Sequence, residues 1–290
     1  MTEIALATCL EKPDLQPSDQ LLAAALEARG VRASAHPWNG PFDPFARADA
    51  VIVRSTWDYV PFADQFAGWI DRLEGEARRV FNAPRLMRWN LHKTYLLDLA
   101  ARGAPLAPTA IAEPHAEALL DAVDRLGLDE AVVKPVVGGG AAGISIVRID
   151  DPVSFKRAAG KVGGMALVQP LIAEIETAGE TSLVFFGGEF SHALIKRPKS
   201  GSIFVQESHG GATALTVASP DVVEAGRRIL LMLPEPSLYA RIDVVLRDAA
   251  RLDGGLQLME VEVIEPELFL VHDKGAAGRF ADALLRALKD

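Results

Sequence analysis

Two short apolar segments near the C-terminal end carry the acidic residues best placed for chemistry. In Leu256–Ile264, the alternation of side chains puts Glu260 and Glu262 on one face of a predicted strand. A hairpin turn at 253–255 would bring Asp243, on the preceding strand, opposite Glu260. Carboxylates that close repel one another unless a cation compensates them, and hard oxygen ligands suit Mg²⁺ with bound phosphate. The pattern therefore indicates a magnesium–phosphate site, with a solvated polar strand face as the alternative.

A glycine-rich loop upstream of these acids matches the pattern G-x-G-x-x-G. Its glycines are Gly138, Gly139, Gly140 and Gly143. A dinucleotide-binding loop of this pattern opens a helix, whose N-terminus holds the pyrophosphate. The next residues, Ile144–Ile149, are instead typical of a strand. We therefore expect the loop to join two strands as a flap.

Lys134 interrupts the apolar segment Ala131–Val136 directly before this loop. A lysine in such a segment must reach water or bind an anion. Backbone N–H groups that glycine leaves uncovered favour phosphate as that anion. The alternative is an edge-strand lysine that points into solvent.

The elements that must position these residues predict an α/β and α+β protein. In the first third, strands and helices alternate with short connections, which is typical of a small domain with a largely parallel sheet. The later segments predict paired strands with added helices rather than one doubly wound sheet. A continuous helical stretch is predicted over 84–102, followed by a proline-rich connector at 104–108.

Composition excludes several classes of protein. The chain has 290 residues, 49% apolar and 24% charged, which predicts about two globular domains. With 30 basic and 39 acidic residues the net charge is −9, which argues against a nucleic-acid partner. A single cysteine, Cys9, excludes an intrachain disulfide. The sequence starts without a basic signal region and has no apolar run of 18 residues, so we expect no membrane association and a cytoplasmic location.

The order of these motifs resembles that of the ATP-grasp superfamily of carboxylate–amine ligases, which includes bacterial glutathione synthetase and the ribosomal-protein glutamate ligases. The resemblance covers about residues 82 to 265. It implies an N-terminal parallel-sheet pre-ATP-grasp domain over 1–108, followed by a two-lobed ATP-grasp fold like the ATP-binding domain of glutathione synthetase. The small lobe with the glycine flap would span 109–170, and the large lobe with the metal-binding hairpin 171–290. A homo-oligomer is compatible with this resemblance.

The resemblance also implies a nucleotide site. Lys93 and Lys134 would contact phosphates together with the glycine flap, and Glu180 would contact the ribose. The hinge residues expected to recognise adenine through the backbone are Gln169, Leu171 and Ile172.

Mg²⁺ and catalytic residues are implied in the same way. Asp243, Glu260 and Glu262 would bind Mg²⁺, with two ions expected. The usual Glu-x-Asn of the family is Glu-x-Glu here, which adds a negative charge. Lys196 would lie near the transferred phosphate and, with Arg241, is expected to be catalytic.

The motif Arg54-Ser55-Thr56-Trp57-Asp58-Tyr59 resembles a signature of a narrower branch, which includes the O-ureido-serine cyclo-ligase of D-cycloserine biosynthesis. The motif follows a predicted strand, at the sheet edge where α/β proteins bind ligands. Arg54 could bind a substrate carboxylate and Asp58 an amine, or the two could pair and fix the loop. Thr56 and Glu265 are also expected at the substrate.

A second loop, with His209, Gly210 and Gly211, is expected near the acyl group. His209 would act there as a general base or would simply be a solvated loop histidine.

These features predict an ATP-dependent ligase for a small amino-acid-like substrate. Its carboxylate would take the γ-phosphoryl group of Mg²⁺-ATP, and an amine or related nucleophile would then displace phosphate, within one molecule if the product is cyclic. A kinase-like phosphotransferase and a non-catalytic nucleotide-binding module are the alternatives.

Overall fold

Residues 2–205, 209–248, 250 and 255–289 are described in a computed structural model of the chain. The strands are β1 (Glu3–Thr8), β2 (Arg32–Pro37), β3 (Ala50–Ser55), β4 (Val80–Phe81), β5 (Ala110–Ala112), β6 (Glu130–Pro135), β7 (Ser145–Arg148), β8 (Ala166–Pro170), β9 (Glu180–Phe186), β10 (Glu189–Arg197), β11 (Ala212–Thr216), β12 (Tyr239–Leu246) and β13 (Leu256–Glu262). The helices are α1 (Pro17–Glu27), α2 (Asp43–Arg47), α3 (Ala63–Glu76), α4 (Pro84–Asn90), α5 (Tyr95–Ala101), α6 (Ala116–Arg125), α7 (Pro152–Val162), α8 (Glu174–Thr177), α9 (Pro220–Leu231) and α10 (Ala276–Ala287).

The N-terminal sheet is parallel, as the alternation of strands and helices predicts. Its order is β2-β1-β3-β4. Leu22 and Leu26, one helical turn apart on α1, are fully buried in the adjoining core. Thr8 pairs with Ser55 where β1 and β3 end. The segment 54–59 therefore lies at the carboxyl edge of this sheet.

Two antiparallel sheets form the rest of the fold and confirm the α+β prediction. One has the order β5-β8-β6-β7, and its core includes Leu119, Val123 and Phe155 from α6 and α7. The other has the order β11-β10-β9-β12-β13. The glycine loop connects β6 to β7, so the predicted flap between two strands is confirmed.

The predicted helix over 84–102 is wrong in its middle, because the chain breaks there into α4 and α5. At the break, the backbone N–H of Lys93 donates to the carbonyl of Val136, 2.8 Å away, instead of to a helical carbonyl. This bond places Lys93 beside the start of the glycine flap. Strand β11 was not predicted, because its half-exposed edge position leaves no strong apolar alternation in its sequence.

The hairpin of β12 and β13 has the predicted register. Asp243 pairs with Glu260, and Arg241 pairs with Glu262. The predicted turn residues Asp253 and Gly254 lie outside the described residues. No helix in the described ranges is long and apolar enough to cross a membrane.

Candidate active site

Three carboxylates meet on the hairpin. Ligand oxygens of Asp243, Glu260 and Glu262 all lie within 4.8 Å of one another. Asp243 is buried and the two glutamates are partly buried. Alternation along β13 puts both glutamates on one face, and the strand register adds Asp243. Because hard anionic oxygens at this spacing suit a divalent cation, the donor set fits Mg²⁺.

Basic side chains from different elements neutralise this cluster. Lys93 forms an ion pair with Glu260. Arg241 Nη2 lies 2.9 Å from Asp243 Oδ2 and 2.5 Å from Glu262 Oε1. The additional negative charge of the Glu-x-Glu motif is therefore matched by a guanidinium on the neighbouring strand.

Lys196 links the cluster to Glu180. Its ammonium lies 2.5 Å from Glu180 Oε1 and 3.2 Å from Asp243 Oδ1. Burial is the main cause that raises the pKa of Glu180, and the charge of Asp243 adds to it. The structure thus brings together Glu180, Lys196 and the three carboxylates, which the sequence separates by up to 82 residues.

The cations determine which carboxylates ionise. At Asp243, burial disfavours the charge, but Arg241 and Lys196 outweigh it and hold the pKa well below its usual range. At Glu260, burial is again outweighed, here by Lys93, and the pKa is lowered. Both groups are therefore anionic at neutral pH.

Glu262 behaves differently. Burial raises its pKa to about 8, and the charge of Glu260 adds to the rise although Arg241 opposes it. Like charges that close favour the neutral form of one member. A cation bound between the carboxylates would remove this penalty, so the site as built favours binding of a cation.

Lys134 lies on β6, which runs between β8 and β7 inside its sheet. The alternative of an edge-strand lysine is therefore wrong. Burial lowers the pKa of Lys134 to about 8, and the nearby charge of Lys93 adds to this effect. Two ammonium groups that repel each other beside the flap are a suitable site for a polyphosphate.

The flap requires glycine at one position. Gly143 has φ +75°, and a Cβ there would lie 2.6 Å from Pro135 Cγ. Ala141, inside the same loop, also has a positive φ of 66°. At Gly139, by contrast, a Cβ would meet nothing within 4 Å among the described residues.

The predicted hinge lies at the end of β8. Gln169 donates from Nε2 to Thr109 Oγ1 at 2.8 Å, and Ile172 is buried beside Ile175 and Val245. Leu171, which lies between Gln169 and Ile172 in the sequence, is partly buried. Recognition of adenine by this backbone stays a prediction.

Arg54 is not placed to bind a substrate. It is fully buried, and its Nε donates to Asp19 Oδ1 at 2.8 Å while Nη2 donates to the carbonyl of Pro266 at 2.6 Å. The predicted substrate carboxylate contact is therefore wrong, because protein groups already occupy this guanidinium. The alternative ion pair of Arg54 with Asp58 is also wrong, because the carboxylate that pairs with Arg54 belongs to Asp19 on α1.

Asp58 fixes its own loop. Its Oδ1 accepts from Trp38 Nε1 at 2.6 Å, and Oδ2 accepts from Asn39 Nδ2 at 3.3 Å. These bonds leave the predicted amine contact without support. Thr56 is fully buried, and its Oγ1 has no hydrogen-bond partner within the described chain.

Glu265 lies close to the carboxylate cluster and contacts the signature loop. Burial is the main cause that raises the pKa of the Tyr59 hydroxyl well above its usual value, and the nearby charge of Glu265 adds to it. Trp57 Nε1 donates to the carbonyl of Glu265 at 2.9 Å. The two motifs that the sequence separates by about 200 residues are therefore in contact.

The loop of His209, Gly210 and Gly211 is less well connected. His209 is exposed, and the centre of its ring lies 5.1 Å from that of Phe204. Gly210 is exposed and Gly211 partly so. Its neighbour Ser208 lies outside the described residues. Among the described contacts, none joins this loop to the carboxylates, so its role stays a prediction.

Several supporting residues escaped sequence reasoning. Ser182 donates to Asp243 Oδ1 at 2.5 Å. Asn90 bonds both the carbonyl of Val261, at 2.8 Å, and the N–H of Val263, at 3.1 Å. The Tyr95 hydroxyl accepts from the N–H of Val261 at 2.8 Å. The available signal for these residues in the sequence is a polar side chain that interrupts a buried segment.

The fold is that of ATP-grasp ligases. An ATP-grasp RimK domain protein from Sphaerobacter thermophilus has 18% identity and a TM-score of 0.70, covering 98% of this chain and 100% of its own. D-alanine–D-alanine ligase from Bacillus anthracis, complexed with ATP, has 16% identity and a TM-score of 0.68, covering 100% and 99%. The chain is an ATP-dependent ligase.

A more specific relationship follows from three further comparisons. The family model of the D-cycloserine synthetase DcsG N-terminal domain matches residues 4–82. The cycloserine biosynthesis protein DcsG of Streptomyces lavendulae is 30% identical over 288 residues, 92% of this chain and 93% of that protein. The crystal structure of D-cycloserine synthetase DcsG has 27% identity and a TM-score of 0.86, covering 99% of both chains. The chain belongs to the DcsG family.

Binding of nucleotide should take up protons at Lys134. Because the pKa of Lys134 is lowered to about 8, a phosphate beside it would raise that pKa, so binding at pH 8 takes up as much as about half a proton. Calorimetry with a non-hydrolysable ATP analogue, in two buffers of different ionisation enthalpy and without Mg²⁺, measures this uptake. We expect Lys134→Arg to abolish it, since arginine stays charged, and Lys196→Arg to retain it. Equal uptake in wild type and Lys134→Arg would contradict this assignment.

Two glycine variants test the flap. Gly143→Ala forces a Cβ into Pro135 and a side chain onto a positive φ, which costs roughly 1–2 kcal/mol and should slow ADP formation about tenfold. Gly139→Ala is the matched control and should stay within about twofold. Turnover and melting temperature are measured on both. Equal turnover of the two variants would show that the shape of the flap does not matter.

Proposed function

We propose that the chain forms a cycloserine-type ring from O-ureido-serine, by activating the carboxylate of that amino acid and closing the ring within one molecule. The carboxylate cluster with its matched cations is the observation that carries the ATP-dependent step. Membership of the DcsG family, whose members in the comparisons are D-cycloserine synthetases, supports the substrate.

The reaction has two displacement steps and one hydrolysis. A carboxylate oxygen attacks the γ-phosphorus, the bond to the β–γ bridging oxygen breaks, and ADP leaves. The ureido nitrogen bound to oxygen then attacks the acyl carbon, the bond to phosphate breaks, and phosphate and a proton leave. One water removes the carbamoyl group from the ring nitrogen as carbon dioxide and ammonia.

The side chains would supply positive charge for these steps, and the flap would exclude water from them. Lys93 and Lys134, beside the flap, would hold the phosphates of ATP. Arg241 and Lys196 would face the transferred phosphoryl group, where negative charge develops. The flap at 138–143 would close over the acylphosphate and keep water away from it. Glu180 and the backbone of the hinge would bind the ribose and adenine.

Asp243, Glu260 and Glu262 would hold Mg²⁺, and we propose two ions. When bound, the metal would neutralise negative charge on the phosphates of ATP. The ion pair of Arg241 with Glu262 leaves the cluster less anionic than three free carboxylates. The proposed units are a pre-ATP-grasp domain at 1–108, a small lobe at 109–170 and a large lobe at 171–290.

Product analysis tests this function. We expect wild type with Mg²⁺-ATP and O-ureido-serine to release ADP and phosphate in equal amounts, and to form a hydroxamate when hydroxylamine traps the acylphosphate. Asp243→Asn, which removes one carboxylate of the cluster, should lose both signals. Two substrate combinations serve for comparison: two molecules of alanine, and glutamate together with an amine.

Other results would identify the alternatives. ADP with a stable phosphorylated product and no free phosphate would indicate the kinase-like reaction. ADP release only with two separate amino acids would contradict cyclisation while keeping the ligase.

A further inference from the structure

Three consecutive carbonyls after the hairpin are held by side chains of both the N-terminal sheet and the hairpin. Trp57 Nε1 donates to the carbonyl of Glu265, and Arg54 Nη2 donates to that of Pro266, at 2.9 and 2.6 Å. Arg241 Nη1 donates to the carbonyl of Glu267 at 3.1 Å. The segment 265–267 is therefore fixed relative to the metal-binding carboxylates, and so is the side chain of Glu265.

The carboxylate of Glu265 differs from its neighbours in its partners. Glu260, Glu262 and Asp243 each form an ion pair with a basic side chain. Throughout the described ranges, Glu265 has no basic side chain within ion-pair distance. Glu265 is partly buried, and a partly buried carboxylate without a cation can pair with a cationic group of a ligand.

Tyr59, on the signature loop, interacts with Glu265. Tyr59 is buried, with its ring stacked on Phe66 at 4.4 Å between centres, and burial together with the charge of Glu265 raises the pKa of its hydroxyl well above its usual value. The fully buried Thr56, on the same loop, offers a hydroxyl that lacks a partner among the described residues.

Burial raises the pKa of Glu265 to about 7, and the charge of Lys93 opposes the rise. Lys93 lowers the pKa of Glu265 and Glu260 raises it, so both charges act on Glu265 from the neighbouring cluster. A cation bound beside Glu265 would favour its ionised form.

We propose that Glu265, assisted by the hydroxyls of Tyr59 and Thr56, binds the α-ammonium group of the amino-acid substrate. The inference deepens the proposed function and rests on its amino-acid substrate, but not on ring closure. In an α-amino acid the nitrogen is one carbon from the carboxylate. A site that orients the carboxylate toward the hairpin cluster must therefore place the ammonium near that cluster, and Glu265 follows the hairpin by three residues on a segment that Arg241 anchors through the carbonyl of Glu267. The role predicted for Asp58 thus passes to Glu265.

The test compares amino acids with their des-amino counterparts. Calorimetry measures binding of O-ureido-serine, serine, alanine and glutamate, each with and without the α-amino group, to enzyme saturated with Mg²⁺ and a non-hydrolysable ATP analogue. We expect Glu265→Gln to weaken binding of the preferred amino acid about 100-fold, as for loss of one buried charge partner, and to leave the des-amino compound unaffected. Tyr59→Phe should weaken binding about fivefold, as for one neutral hydrogen bond.

Glu267→Gln is the matched control. Its carboxylate lies two residues away but accepts from Ser18 Oγ and the N–H of Phe269, both at 2.6 Å, and these bonds survive in glutamine. This variant should bind every compound like wild type. The affinity for the ATP analogue should be the same in all the variants.

The outcomes separate the two proposals. If Glu265→Gln lost the same affinity for the amino acid and for its des-amino counterpart, the ammonium site would be overturned. The same would follow if the variant lost no affinity, or if wild type bound none of the amino acids. Preference for an amino acid other than O-ureido-serine would contradict the proposed substrate, while the selective loss would still support Glu265.

Discussion

Concentrated charge on one hairpin is the constraint on which the rest of the fold depends. Carboxylate oxygens of Asp243, Glu260 and Glu262 lie within 4.8 Å of one another in a partly buried site. At neutral pH Asp243 and Glu260 are anionic, whereas burial and the charge of Glu260 raise the pKa of Glu262 to about 8. Unit charges 4 Å apart interact by about 4 kcal/mol at the effective dielectric near a protein surface. The chain tolerates this because cations reach the cluster from several directions, and the proposed Mg²⁺ would add to them.

Each compensating cation depends on a different part of the architecture. Lys93 reaches Glu260 only because the helix breaks before α5. Lys196 comes from β10, across the sheet from β12 through β9. Arg241 comes from the hairpin itself and also anchors the segment after it. The sheet order, the helix break and the hairpin register thus each position one basic side chain beside the carboxylates.

The N-terminal domain takes part through contacts that tie it to this hairpin. Tyr239 donates from its hydroxyl to the carbonyls of Val53 and Ile264, each at 2.9 Å. The buried ion pair of Arg54 and Asp19 lies beside the Tyr239 ring, 5.2 Å from the Arg54 guanidinium carbon. The signature motif therefore links the N-terminal sheet to the segment that follows the hairpin, through Arg54 and Trp57.

Much of this could be predicted from the sequence where the signal is local. Alternation along β12 and β13 predicted the face shared by Asp243 and Glu260, and the residues after Gly143 predicted the flap. The partner of Arg54 could not be found this way, because Asp19 is on α1 and only the tertiary fold brings it close. The helix break at Lys93 depends on a single bond to Val136, which no pattern of side chains indicates.

Mg²⁺-dependent nucleotide binding tests the central claim most directly. Calorimetry and melting temperatures with a non-hydrolysable ATP analogue, with and without Mg²⁺, are compared for wild type and Glu260→Gln/Glu262→Gln. If the charged hairpin is the metal site, wild type binds the analogue more tightly with Mg²⁺, and the double variant loses that gain but keeps Mg²⁺-independent binding. An equal Mg²⁺ effect in both proteins would contradict the account, and no binding to wild type under any condition would contradict the nucleotide site itself.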